Sequence, residues 1–188
     1  MNNLPEKADM QNVALAIYNA KPGTMAIDIR RKMVQLPEVA KSLSGVEKYI
    51  FAASTKMQIA DIDDGTLVAK TGQMFRFIAM DVGYIIPTNS EDWAYICTRL
   101  LDILKKYYSQ MTLADIKLAF ELATTGELDD YLPKDSQGNP DKKHYQQFNA
   151  DYFAKILNAY RRKQNGVIHK AYKALLEPEK ELTLEEKR

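Results

Sequence analysis

Cysteine is nearly absent: Cys97 stands alone in 188 residues, so no intramolecular disulfide can form and a reducing, cytoplasmic setting is the expectation. Histidine is almost as scarce. His144 and His169 are the only two, and neither has a cysteine or carboxylate at metal-ligand spacing, which removes the common zinc arrangements. Net charge is missing as well: 26 Lys and Arg against 25 Asp and Glu leave +1, too little for a global field that draws a protein to DNA or to an anionic membrane. No apolar run approaches the roughly 18 residues that span a bilayer, and the polar opening MNNLPEKADMQN lacks the basic-then-apolar layout of a signal peptide. There is no G-x-x-x-x-G-K-[ST] phosphate loop and no dinucleotide fingerprint, which argues against an ATPase. These absences leave no catalytic or metal-ligating set, no intrinsic cofactor and a non-enzymatic reading.

What the chain does have is helical periodicity, within an ordinary globular balance of 46% apolar and 27% charged residues. Val13, Ala14, Ile17 and Tyr18 share one face of a helix over about 6–20, and Thr24 caps a second running to about Gln35, before Pro37 interrupts it. A third starts at Ser44 or Gly45, with Val46, Tyr49, Ile50, Ala53 and Met57 as its apolar stripe. These form an N-terminal helical subdomain over 1–60. The acidic run from Asp61 to Gly65 resembles a calcium loop superficially but lacks oxygen ligands at alternating positions and a glutamate at the twelfth. It reads as a linker whose carboxylates sit at the positive end of the next helix.

In that helix Leu67, Met74, Phe75, Ile78 and Val82 are spaced for burial, with Phe77 and Met80 widening the apolar face and Gly83 ending it. Tyr84, Ile85 and Ile86 read as an extended connector. Ser90 caps a helix over about 91–109 whose inner stripe is Trp93, Ile96, Cys97, Leu100, Leu104 and Tyr107, making Cys97 a packing residue. Thr112 and Asp115 form a capping box, with Asp in place of Glu, for a helix that packs Ile116, Ala119, Phe120 and Ala123 inward and stops near Gly126. Turn formers between 127 and 143 mark a surface loop. Asn149 then caps the last main helix, with Tyr152, Phe153, Ile156, Leu157 and Tyr160 facing the core and Gly166 placed to bend or break it. The expected architecture is an all-α, compact bundle of about seven or eight helices. Its main domain covers 61–176, and the two groups of helices either form subdomains or share one core. In the charged tail, 177–188, Thr183 and Glu186 signal the start of another helix, as in a chain that continues past Arg188.

Charge is uneven along the chain. From Met111 to Asp141 seven acidic residues outnumber two basic ones, whereas from Lys142 to Lys173 eight basic residues face Asp151 alone. The candidate nucleic-acid site is therefore Tyr160, Arg161, Arg162, Lys163, Lys170, Tyr172 and Lys173. Guanidinium groups grip phosphate oxygens, lysines add point charge, and tyrosine rings stack on exposed bases. The same charges also suit a solvated face, or pairing with the acidic stretch upstream.

The segments T-L-A-D-I-K-L-A-F-E-L-A at 112–123, H-Y-Q-Q-F-N-A-D-Y-F-A-K-I-L-N-A-Y-R at 144–161 and M-F-R-F-I-A-M-D-V-G-Y at 74–84 resemble small helical proteins encoded by bacterial phages and integrated mobile elements, often near replication genes. The resemblance implies an accessory factor of phage or mobile-element DNA replication, with DNA and a replication protein as partners. The residues alone leave an alternative open: eight Met and eleven Tyr on amphipathic helices also suit a protein-binding helical adaptor with no nucleic-acid contact. Cations converging with exposed tyrosines favour the first, and a neutral apolar patch favours the second.

Overall fold

The structure, a computed structural model, describes residues 30, 31 and 33–176. Among them there are six α-helices and no β-strand: α1 (Pro37–Ser42), α2 (Gly45–Ala53), α3 (Asp64–Asp81), α4 (Ser90–Tyr107), α5 (Leu113–Thr124) and α6 (Ala150–Leu176), with a 3-10 turn at Ile59–Asp61. The all-α class holds, with six helices here against the seven or eight expected. The helix expected over 6–20, most of the one over 24–35 and the tail at 177–188 lie outside the described residues. Pro37 starts a helix rather than only interrupting one, because a proline at the first helical position gives up an N–H that would be unpaired anyway.

Local capping sets most boundaries. Ser44 Oγ accepts the Glu47 N–H at 3.3 Å while Glu47 returns a carboxylate oxygen to the Ser44 N–H at 2.6 Å, and Thr112 and Asp115 exchange the same two bonds at 2.9 Å each. Asp63, from the acidic run, caps α3 through the Thr66 N–H at 2.9 Å. The cap of α4 is Asn89, one residue before the expected Ser90. Asn149 caps α6 through the Tyr152 N–H at 3.1 Å. Gly83 and Gly126, at φ 74° and 86°, supply the left-handed turns that end α3 and follow α5. Gly166 does not break α6, which runs unbroken for 27 residues. Val167, Ala171 and Leu175 are buried beyond it, and their packing outweighs the roughly 1 kcal/mol that glycine costs inside a helix.

α6 is the axis of the bundle: α1, α2, α4 and α5 pack against it, and α3 packs on α4 and α5. Backbone bonds from Ile59 N–H to the Met111 carbonyl (2.9 Å) and from Ala60 N–H to the Ser109 carbonyl (3.0 Å) tie the α2–α3 connection to the α4–α5 turn. One apolar cluster runs from Met33 to Leu175, so the helices on both sides of position 60 share a core. At its centre the Phe153 ring meets Phe120 at 4.6 Å and the edge of Phe75 at 5.6 Å.

Three expected stripes hold at their centres and differ at single positions. In α2, Tyr49 and the following Met57 are exposed while Phe51 is buried. At the end of α4, Tyr107 is exposed and Tyr108 takes its place inside, because Tyr108 leaves the helical conformation (φ −128°) and its ring turns inward. In α3, Phe77 and Met80 point away from the core. With each residue turning the helix by about 100°, Met80 lies nearly opposite the stripe of Leu67, Phe75 and Ile78.

Candidate functional site

Of the residues expected to contact nucleic acid, the two tyrosines belong to the interior. Tyr160 is fully buried, and its hydroxyl donates to Asp115 Oδ1 at 2.8 Å, where the Gln164 amide also donates at 2.7 Å. The other Asp115 oxygen accepts the Thr112 N–H, and the Thr112 hydroxyl donates to the Ala53 carbonyl at 3.1 Å. This junction joins the end of α2, the start of α5 and the middle of α6 through groups that are all buried. Burial holds the Asp115 carboxyl above the usual carboxylate range despite the bonds it accepts. Burial, reinforced by the Asp115 charge, pushes the Tyr160 phenol up as well. Tyr172 is also buried, and burial raises its phenol. Neither ring presents a face on which a base can stack, which corrects that part of the expectation.

The cations of the same stretch are drawn to the protein itself. Lys163 pairs with Glu127 at 2.9 Å and Lys170 with Glu47 at 2.7 Å, while Arg162 donates to the Tyr131 carbonyl. Lys155 pairs with Asp141 at 3.0 Å and Lys142 with Asp129 at 3.1 Å, and Lys173 also has a partner. The acidic stretch before α6 thus neutralises much of the basic stretch that follows it. Arg161 is the exception on this helix among the residues expected to bind: its guanidinium lies 5.9 Å from the Tyr108 ring centroid and meets no carboxylate among the described residues.

A different surface is left open. Phe77 and Met80, one turn apart on α3, are 52% and 68% exposed, and Ile85 on the connector that follows is 77% exposed. The connector is held from behind. Tyr84 stacks on Phe148 at 5.1 Å, Phe148 lies 5.9 Å from Trp93, and the Ile85 N–H donates to the Gln146 side chain at 3.4 Å. His144 completes the support. Its Nε2 lies 2.9 Å from the Val82 carbonyl and its Nδ1 accepts the Gln146 N–H at 3.0 Å. A carbonyl can only accept and an amide can only donate, so this is the neutral ring protonated on Nε2. The bonds hold Tyr145 and Gln146 in left-handed conformations (φ 49° and 59°) that such residues seldom adopt.

The sequence reading missed this surface because it equated apolar side chains with burial. The available signal was angular: Phe77 and Met80 fall off the arc shared by the other apolar residues of α3. Elsewhere the chemistry is quiet. Burial pushes the Cys97 thiol up to about 11, so it is protonated and a poor nucleophile near neutrality. Among the described residues no three His, Cys, Asp or Glu side chains converge as a metal site, and no helix is long and apolar enough to cross a membrane. Comparison with known proteins finds no matching family model, no matching curated protein and no matching solved structure.

Proposed function

We propose that this protein is a non-enzymatic helical adaptor that binds another protein through the end of α3 and the connector beyond it. The observation that carries this reading is the exposure of Phe77, Met80 and Ile85 on a segment fixed by aromatic packing and by His144. Large apolar side chains held rigidly in water lose little conformational freedom when a partner covers them, which is the usual design of an interaction anchor. An accessory role in phage or mobile-element replication, as the sequence resemblance implies, is compatible with such an adaptor and makes a replication protein the partner class to test first. Nucleic-acid contact through α6 is the competing reading, and its cations are largely engaged within the chain.

The test is capture from the source cell with the wild-type chain and with a Phe77→Ser/Met80→Ser variant, each with and without nuclease. The adaptor reading expects a protein that is retained after nuclease treatment and lost with the variant, while the variant's circular dichroism and melting temperature match the wild type. Capture that disappears with nuclease, together with retention on DNA that weakens steeply with salt, replaces it with the α6 reading.

A further inference from the structure

A second surface differs in kind from the α3 end. α4 and α6 flank a groove of about 490 Å³ whose walls include Ile103 and Tyr107 from α4 and Ala154, Asn158 and Arg161 from α6, with Asp151 at one end. Its walls are mostly apolar, with Asn158 held by the Tyr108 hydroxyl at 3.3 Å, and along α6 it carries Asp151 toward one end and Arg161 toward the other. Asp151 and Arg161 are exposed, and neither meets an opposite charge among the described residues, whereas Lys155, Lys163 and Lys170 on the same helix all do. Arg162 is engaged by the Tyr131 carbonyl, and Asp151 and Arg161 both line the groove.

The α6 wall of the groove is self-complementary. Asp151 and Arg161 lie equally far in sequence on either side of Ile156, as do Ala154 and Asn158. A two-fold axis perpendicular to α6 at the level of Ile156 brings a second α6 alongside in the antiparallel sense. It sets Asp151 against the partner subunit's Arg161, Arg161 against the partner subunit's Asp151, and Ala154 against the partner subunit's Asn158. One symmetry operation satisfies both charged ends, which is the property of an isologous contact. The helix rise separates the two charges by about 15 Å, enough to place the ion pairs at the edges of the contact and leave the small Ala154 between them, where backbones can approach closely. Tyr107, 60% exposed, and Ile103 extend the apolar part of the contact onto α4.

We infer that the α4–α6 groove is a dimerisation surface whose occupant is a second copy of this chain, packed antiparallel through α6 with reciprocal Asp151–Arg161 pairs. None of Phe77, Met80 and Ile85 lines this groove, so the inference stands or falls independently of the adaptor reading.

Sedimentation velocity of the full chain over a micromolar concentration series, at low and high salt, tests it with charge-reversed variants. The wild type is expected to dimerise as concentration rises. Asp151→Arg alone or Arg161→Asp alone places like charges together at both ends and is expected to weaken association by about tenfold or more. An equimolar mixture of the two variants is expected to restore dimers, because each now supplies what the other lacks, and the double variant is expected to dimerise like the wild type. That recovery also shows that the single variants are folded. A wild type that stays monomeric across the series overturns the inference, as do single variants that dimerise unchanged or a mixture that fails to recover. A groove filled instead by a different protein gives one of these outcomes.

Discussion

α3 and α6 carry similar raw material, aromatic and basic side chains on long helices, yet they spend it in opposite ways. Among the described residues α6 has four helices packed around it and the acidic stretch beside it, so its rings find an interior and its cations Lys155, Lys163 and Lys170 find carboxylates. Among the described residues α3 packs mainly on α4 and α5, with Phe75 reaching the Phe153 ring of α6, and it leaves Phe77 and Met80 in water. The difference shows that local composition does not mark an interaction surface in this chain. What marks it is the number of neighbours available to absorb the side chains, and the helix with the largest excess of cations has most of them engaged within the chain.

The sharpest way to break the comparison is at the interior of α6. Asp115→Ala leaves the Tyr160 hydroxyl, the Gln164 amide and the Thr112 N–H without their acceptor, and a loss of about 3 kcal/mol or more is expected in urea denaturation. Phe77→Ser on α3 is expected to stay within about 0.5 kcal/mol of wild type in the same measurement, as an exposed site away from such a network. Equal losses at the two positions remove the contrast.

A proton titration sharpens the same point. The folded chain holds a proton on Asp115 more tightly than the unfolded chain, whose carboxyl titrates near 3.8. The Asp115 contribution therefore makes stability fall as pH rises from that value through the raised folded one, and it is constant above. Asp115→Asn is expected to remove this slope from stability measured across acidic pH. Glu47 has the opposite sign. Burial pushes it up, but the Lys170 ammonium and the Ser44 N–H outweigh burial and hold it below its usual 4.5. Its stabilisation is present above that value and is lost as pH falls through the lower folded one.

Smaller effects belong to the outside of α6. Gly166→Ala is expected to stabilise by up to about 1 kcal/mol, since the added methyl meets nothing within 4 Å and the helix gains propensity. Lys170→Ala is expected to cost no more than about 0.5 kcal/mol, read as a small shift in urea midpoint, because its pair with Glu47 is partly in solvent.

Helix starts were legible in the sequence because their causes are local. Ser44 with Glu47, Thr112 with Asp115, and Asn149 each act within three residues. The cap expected at Ser90 falls one position early, on Asn89, since both residue types cap well. Which face of a helix is buried was less legible, because it depends on partners far away in the chain. Tyr160 meets Asp115 across 45 residues, and nothing near Tyr160 announces that its hydroxyl is spoken for. Tyr107 and Tyr108 are adjacent and identical, and only the conformation at the end of α4 decides which turns inward. The candidate site suffered most from this. The uneven charge was real, but the same unevenness supplied the acids that paired with the bases.

The central place of α6 has a consequence for how the chain is made. The helix is about 40 Å long, and it gives α1, α2, α4 and α5 the surface they pack on. Until the ribosome has released its last turns, those helices have no completed interior to close around. The described bundle then forms late and as a unit, and nascent chains stalled before residue 150 are expected to be open to proteases throughout.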